Sequence, residues 1–220
     1  MNKLIVIEGA CDGIGKTTQF NLLKEKLEQS GYKVKTHHFP TYNTYQGEGV
    51  TEYLSGKFGN PSEVNPYFAH NLYAVDRAVT WAKEMQNLDE NEIILLDRYT
   101  TSSIIYQTAL LDDTAKKEFI DFIVDYEYNK LKIQSPDLVI YLHADFDVVT
   151  NLRNERTNNE GVKNDIHESN LDFMKLVYKN SEFAANYLNW ETIECSKDNK
   201  MKSIEDIHND IWNKVKEICN

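Results

Sequence analysis

The chain has 220 residues and a formal net charge of -11, with 35 acidic residues against 24 basic ones. That balance excludes a sequence-independent grip on DNA or RNA, which needs a basic face. No apolar run approaches the ~20 residues that span a bilayer. Three cysteines without paired spacing, Cys11, Cys195 and Cys219, predict neither a disulfide framework nor a zinc site and point to a reducing, cytoplasmic setting.

In chain order, Leu4 to Ile7 is a short apolar run that stops at Glu8, a first buried strand rather than the core of a signal peptide. It runs into Gly9-Ala10-Cys11-Asp12-Gly13-Ile14-Gly15-Lys16-Thr17-Thr18 and then into a helical pattern. Strand, glycine-rich turn and helix are the setting of a phosphate-binding loop, whose backbone N–H groups and helix N-terminus attract anions. Lys16 is expected to reach the β- and γ-phosphates of a nucleotide and the Thr17 hydroxyl to ligate Mg²⁺. The first glycine, Gly9, stands one place earlier than the strict spacing, which reads as a loop one residue longer.

Phe20, Leu23 and Leu27 share a helix face that ends near Ser30-Gly31. Lys33 to Phe39 reads as a second strand and Ile93 to Leu96 as a third, which ends in Asp97-Arg98. An acidic residue at the carboxyl end of such a strand lies in the ligand crevice. Asp97 could therefore organise Mg²⁺ and Arg98 clamp a phosphate, or the two could simply cap the next helix. Phe119, Phe122, Ile123 and Tyr126 mark a further helical stripe, and Leu138 to Leu142 a fourth strand. The polar stretch from Asn154 to Asn170 is either a surface loop or a mobile lid. Thr192 to Cys195 reads as a fifth strand. Ser203 to Asp206 resembles a capping box ahead of Ile207, Ile211, Val215 and Ile218 at helical spacing. Continuous apolar runs suit strands covered on both faces, and their alternation with helices predicts a parallel sheet.

Only four arginines are present, Arg77, Arg98, Arg153 and Arg156. A guanidinium presents a planar fork that a lysine cannot copy. Taken alone, each is either a phosphate or base clamp or a solvated surface charge.

From Asp97-Arg98-Tyr99 through Ser102 to Tyr106-Gln107 the chain resembles the thymidylate kinases. Tyr73-Ala74-Val75-Asp76-Arg77, Phe39-Pro40 and Pro136 to Leu142 are similar to further segments of that family. The resemblance implies a P-loop NTPase fold of class α/β: three α/β/α layers, a five-stranded parallel sheet, one domain over 1–220 and a short lid over about 153–168. It implies transfer of a phosphoryl group from ATP to dTMP with Mg²⁺ in a cytoplasmic homodimer, with no nucleic acid or membrane partner. Gly9, Asp12, Gly13, Ile14, Gly15, Lys16, Thr17 and Thr18 would bind ATP, and Thr17 and Asp97 the metal. Asp12, Phe39, Tyr73, Arg77, Arg98, Ser102, Ser103, Gln107 and His167 would bind the acceptor. Tyr73 would stack on the base, Arg77 would contact base or phosphate, and Asp12 would meet the sugar 3′-hydroxyl. The catalytic set would be Lys16, Arg98, Asp12 and the lid arginines Arg153 and Arg156, since no arginine stands in the phosphate loop itself. His167 falls where relatives place an aromatic beside the deoxyribose. The usual arginine after Phe39-Pro40 is absent, which keeps another deoxynucleoside monophosphate open as acceptor. A deoxynucleoside kinase and a nucleotide sensor without turnover are the remaining alternatives.

Overall fold

The structure, a computed structural model, describes residues 2–10, 13–85, 88–89, 92–152, 166–167 and 170–219. The expectations placed on Asp12, Arg153 and Arg156 lie outside those residues. Five parallel strands form the main sheet: β1 (Leu4–Glu8), β2 (Val34–His38), β3 (Ile93–Asp97), β4 (Leu138–His143) and β5 (Glu191–Glu194), in the order β2-β3-β1-β4-β5. The alternation of apolar runs with helical stripes leads to this arrangement, because each parallel pair needs a crossover.

Side chains alternate between the two faces of a strand. Ile5 and Ile7 of β1 pack with Leu23 and Leu27 of α1 (Lys16–Gln29) and with Ile207, Ile211 and Val215 of the C-terminal helix. Leu4 and Val6 point the other way, into Trp81, Tyr99 and Ile133. The three central strands are buried along almost their whole length. The two outer strands correct the expectation of five fully covered runs. β2 is half-buried and β5 buries only Ile193, because an edge strand has a neighbour on one side alone and its polar residues face water.

Helices that follow α1 among the described residues include α2 (Glu48–Leu54), α3 (Pro66–Thr80), α4 (Thr100–Gln107), α5 (Asp113–Val124) and α6 (Leu171–Tyr187), and residues 146–152 are helical as well. α3 and α5 each pass into a π-helical turn, Trp81–Met85 and Asp125–Lys130. α1 stops as expected: Gly31 takes φ 91°, its N–H reaches Glu28 O, and the Tyr32 N–H reaches Leu27 O. A two-stranded hairpin, β6 (Ser196–Lys197) and β7 (Lys200–Met201), was not foreseen. Its turn residues Asp198 and Asn199 both take positive φ, which this residue pair tolerates. α7 (Ile204–Cys219) begins at Ser203, whose hydroxyl accepts from the Asp206 N–H at 3.0 Å. No helix of the described residues is long and apolar enough to cross a membrane.

The chain leaves β1 towards β2 and later crosses back from β3 to β4. The carboxyl ends of β1 and β3 therefore flank the point where the strand order reverses. In an open α/β sheet that is where ligands sit.

Candidate active site

A cavity of about 640 Å³ opens at that point. The loop after β1 forms one wall. Gly13 and Gly15 take φ 93° and 92°, a region that side-chain-bearing residues rarely enter, and a Cβ at Gly15 would meet only open space. Gly15 caps α1, no side chain caps that helix, and its first turn holds no acidic residue. The N–H groups of the first turn, which lack intrahelical acceptors, and the helix dipole thus make a site for an anion. Lys16 is buried, with Nζ at 3.4 Å from Gly9 O, while Thr17 and Thr18 are exposed. Ile14, expected at the nucleotide, turns its side chain into the core, so any contact it makes there falls to its backbone. Its apolar surface gains more there than at a charged ligand. Gly9 packs against Ile14 and the Leu142 carbonyl below the loop.

β1 and β3 are direct neighbours, with Ile7 in register with Asp97, so the loop and Asp97-Arg98 lie side by side. Arg98 sits at φ 63°, uncommon for a side-chain-bearing residue, while its N–H bonds Ile7 O at 3.3 Å. Its guanidinium lies over the Tyr106 ring and 3.8 Å from Glu8 Oε1. Asp97 Oδ2 is 3.0 Å from His38 Nδ1, and Oδ1 is buried without a hydrogen-bond partner. Burial alone would raise the Asp97 carboxyl; the His38 hydrogen bond and the charges of Arg98 and Lys16 outweigh it and hold the group below its usual range.

α4 supplies the floor. Its first turn carries Thr100, Thr101, Ser102 and Ser103, and each hydroxyl has a partner. Thr101 and Ser102 donate to Glu8 Oε2 at 2.8 and 2.6 Å, and the Gly9 N–H donates to Glu8 Oε1 at 3.0 Å. Glu8 is fully buried, and these donors replace the water it has lost. Ser102, expected at the acceptor, directs its hydroxyl to Glu8 although it still lines the cavity.

The far wall is α3. Arg77 lines the cavity and is only 1% exposed. Its Nε and Nη2 donate to Glu127 Oε2 and Oε1, both at 2.7 Å; Nη2 also donates to Ser103 Oγ at 2.8 Å, and Nη1 to Tyr99 O at 3.4 Å. Tyr73 lines the same wall, edge-on to Tyr53. His167 closes the top: it is buried, its Nε2 lies 3.1 Å from the Tyr53 hydroxyl, and its ring stacks on Tyr106. Phe39, joined to Pro40 by a cis peptide, and Gln107 complete the lining drawn from the expected set.

Glu8, His38 and Glu127 were not singled out as site residues by sequence, and Tyr106 entered only as part of the family motif. Glu8 carried a signal, a carboxylate at the end of a wholly apolar strand. Glu127 carried none: it lies on an acidic helical stretch 50 positions from Arg77, where a solvated carboxylate is the ordinary reading.

The chain is similar to a family of known proteins. Residues 7–211 match the family model described as thymidylate kinase. A probable thymidylate kinase of Methanocaldococcus jannaschii is 34% identical, over 99% of this chain and 97% of its own length. A probable thymidylate kinase 1 of Saccharolobus solfataricus is 33% identical over 90% and 91%. In fold, the thymidylate kinase of Candida albicans superposes with a TM-score of 0.72 at 23% identity, covering 98% of this chain and 92% of that one.

Proposed function

The chain belongs to the thymidylate kinase family, and from that premise we propose that it transfers the γ-phosphoryl group of ATP to dTMP, giving dTDP. One observation carries the assignment to this cavity. An anion-binding loop and an Asp-Arg couple face each other at one end, and a fixed guanidinium stands at the other. Such a space takes two nucleotides end to end, with phosphates meeting between Lys16 and Arg98 and the acceptor base between Tyr73 and Arg77.

In-line phosphoryl transfer asks little covalent work of the protein. It asks for alignment and for positive charge where oxygens gain negative charge. Gly13, Gly15, Lys16, Thr17 and Thr18 hold ATP in this reading. Phe39, Tyr73, Arg77, Arg98, Ser102, Ser103, Gln107 and His167 surround the acceptor. Asp12 at the sugar and Arg153 and Arg156 over the transferring group are part of the proposal on the strength of the family pattern. A span of about 153–168 serves as the lid of a single domain, and closure excludes water that would otherwise take the phosphoryl group.

Mg²⁺ fits the residues present. Thr17 and Asp97 offer oxygens to the cavity, and Asp97 Oδ1 is buried with no hydrogen-bond partner. No cluster of three or more metal-binding side chains exists among the described residues, so such an ion would rest mainly on phosphate oxygens and water. Bound there, it neutralises polyphosphate charge.

Two wider proposals follow. Free thiols at Cys195 and Cys219 support a cytoplasmic setting. Exposed aromatics on α3 and α5, Tyr67, Phe68 and Phe122, support a homodimer through that side. The test of function is a steady-state panel with ATP and Mg²⁺: dTMP, dUMP, dCMP, dGMP and unphosphorylated thymidine. dTMP should give the highest kcat/KM. Turnover of thymidine instead would make the enzyme a nucleoside kinase, and ATP binding without any turnover would make it a sensor.

A further inference from the structure

Arg77 has five N–H bonds, and four have partners: two go to Glu127, one to Ser103 Oγ and one to Tyr99 O. The fifth is on Nη1. Because the side chain is 1% exposed and borders the cavity, a ligand in the cavity can take up that last donor. Ser103 Oγ accepts from Arg77, and among the described residues its own proton has no acceptor. This end of the cavity therefore presents donors.

What fixes their direction is Glu127. It has no exposed surface, and it stands on the π-helical turn that follows α5, from which it reaches Arg77 on α3. Oε2 takes the Thr100 hydroxyl at 2.9 Å as well as Arg77 Nε, so the carboxylate is clamped from two elements. A bidentate guanidinium–carboxylate pair fixes the plane of the fork as well as its position.

We propose that Glu127 is a positioning residue for acceptor selectivity: by locking the Arg77 fork against Ser103, it gives the base end of the cavity an edge led by a guanidinium, which donates and cannot accept. That edge accepts bases presenting a carbonyl oxygen, as thymine and uracil do, and rejects those presenting an amino group there, as cytosine does. The inference rests on the reading of Arg77 as the base contact and adds the residue that makes the contact selective. An amino group placed against the guanidinium leaves that donor unpaired, which is how a hydrogen-bonding site rejects an analogue.

The test is equilibrium titration of dTMP, dCMP and ATP into wild-type protein and into Glu127→Gln and Glu127→Asp. Each variant is first checked for cooperative thermal melting. Glu127→Gln removes the charge and sets an amide N–H₂ against the guanidinium. Glu127→Asp keeps the charge that a buried Arg77 needs for folding but draws the carboxylate back by one methylene, so it decides the matter if the glutamine variant does not fold. Wild type should bind dTMP at least about tenfold more tightly than dCMP, the worth of one charge-assisted hydrogen bond. In a folded variant that ratio should fall by about tenfold through weaker dTMP binding, with ATP affinity within about twofold of wild type. An unchanged ratio, equal weakening of ATP and dTMP, or a wild type that does not discriminate overturns the proposal. Because the readout is binding, it is independent of turnover: selectivity lost in the variants of a wild type that transfers no phosphoryl group would uphold the proposal and sink the function.

Discussion

The first turn of α4 is shared between two buried carboxylates, and the two ends of the cavity differ in what those carboxylates hold. At the phosphate end Glu8 is satisfied chiefly by neutral donors, the Gly9 N–H and the hydroxyls of Thr101 and Ser102, with Arg98 at 3.8 Å. At the base end Glu127 is satisfied by a guanidinium at 2.7 Å twice over, with one hydroxyl, Thr100, in support. In the proposed reading the contrast is functional. A cation that must meet a moving phosphate cannot also be the counter-ion that keeps a buried carboxylate stable, whereas a cation that reads a base profits from being immobile.

The sharpest way to break the contrast is at Lys16. In the proposed reading it belongs to the phosphate end, where charge develops during transfer. Lys16→Met should lower kcat by about 10²–10³-fold or more. dTMP affinity should stay within about twofold and the melting temperature within about 4 °C. Rapid-quench turnover together with dTMP titration reads both. A kcat within tenfold of wild type would show that the phosphates do not meet here.

The base end can be probed by acid. His70 on α3 is fully buried, neither ring nitrogen has a hydrogen-bond partner, and Nε2 lies 3.7 Å from Glu127 Oε1. Phe119, Phe122 and Tyr126 surround the ring. Burial pushes its pKa from 6.5 down to about 4, Arg77 adds to the effect, and Glu127 opposes it. The folded protein thus keeps His70 neutral where the unfolded chain already binds a proton. Stability from this group is complete above pH 6.5 and is lost as the pH falls from 6.5 to about 4. The loss amounts to roughly 3 kcal/mol over that window. Urea midpoints at pH 7, 5.5 and 4.5 should fall more steeply for wild type than for His70→Leu. Parallel slopes would mean that His70 does not titrate against the ion pair.

The two ends also differ in how readily the sequence discloses them. The phosphate loop is legible because every part is local: an apolar strand, glycines, Lys16-Thr17 and a helix follow one another, and backbone N–H groups are what such a loop offers an anion. Asp97-Arg98 is legible because it ends a strand. The left-handed backbone at Arg98 is not, since arginine carries no preference for it and a bond to the neighbouring strand helps hold it there. Arg77 stands out by rarity and by family pattern, yet its partner does not. Glu127 becomes its counter-ion only after α5 has packed across α3 and α4, a tertiary event without a local periodicity. The edge strands were read as buried for a related reason, because which strand ends a sheet is decided by crossovers and not by composition.

The smallest effects distinguish the ends most finely. Thr100→Val removes one hydroxyl from Glu127, and Thr101→Val removes one from Glu8. Each carboxylate keeps its other donors, so each change should cost only about 1 kcal/mol, near the net worth of one hydrogen bond. That corresponds to about 2–4 °C in melting temperature for a chain of this size. Valine fills the same volume, so packing is not the variable. The kinetic consequences should diverge. Thr100→Val loosens the clamp on Arg77 and should raise the KM for dTMP with little change in saturated kcat. Thr101→Val disturbs the carboxylate beside Arg98 and should lower kcat with little change in that KM. If both substitutions move the same parameter, the first turn of α4 acts as one unit, and the division of the cavity into a reading end and a transferring end is wrong.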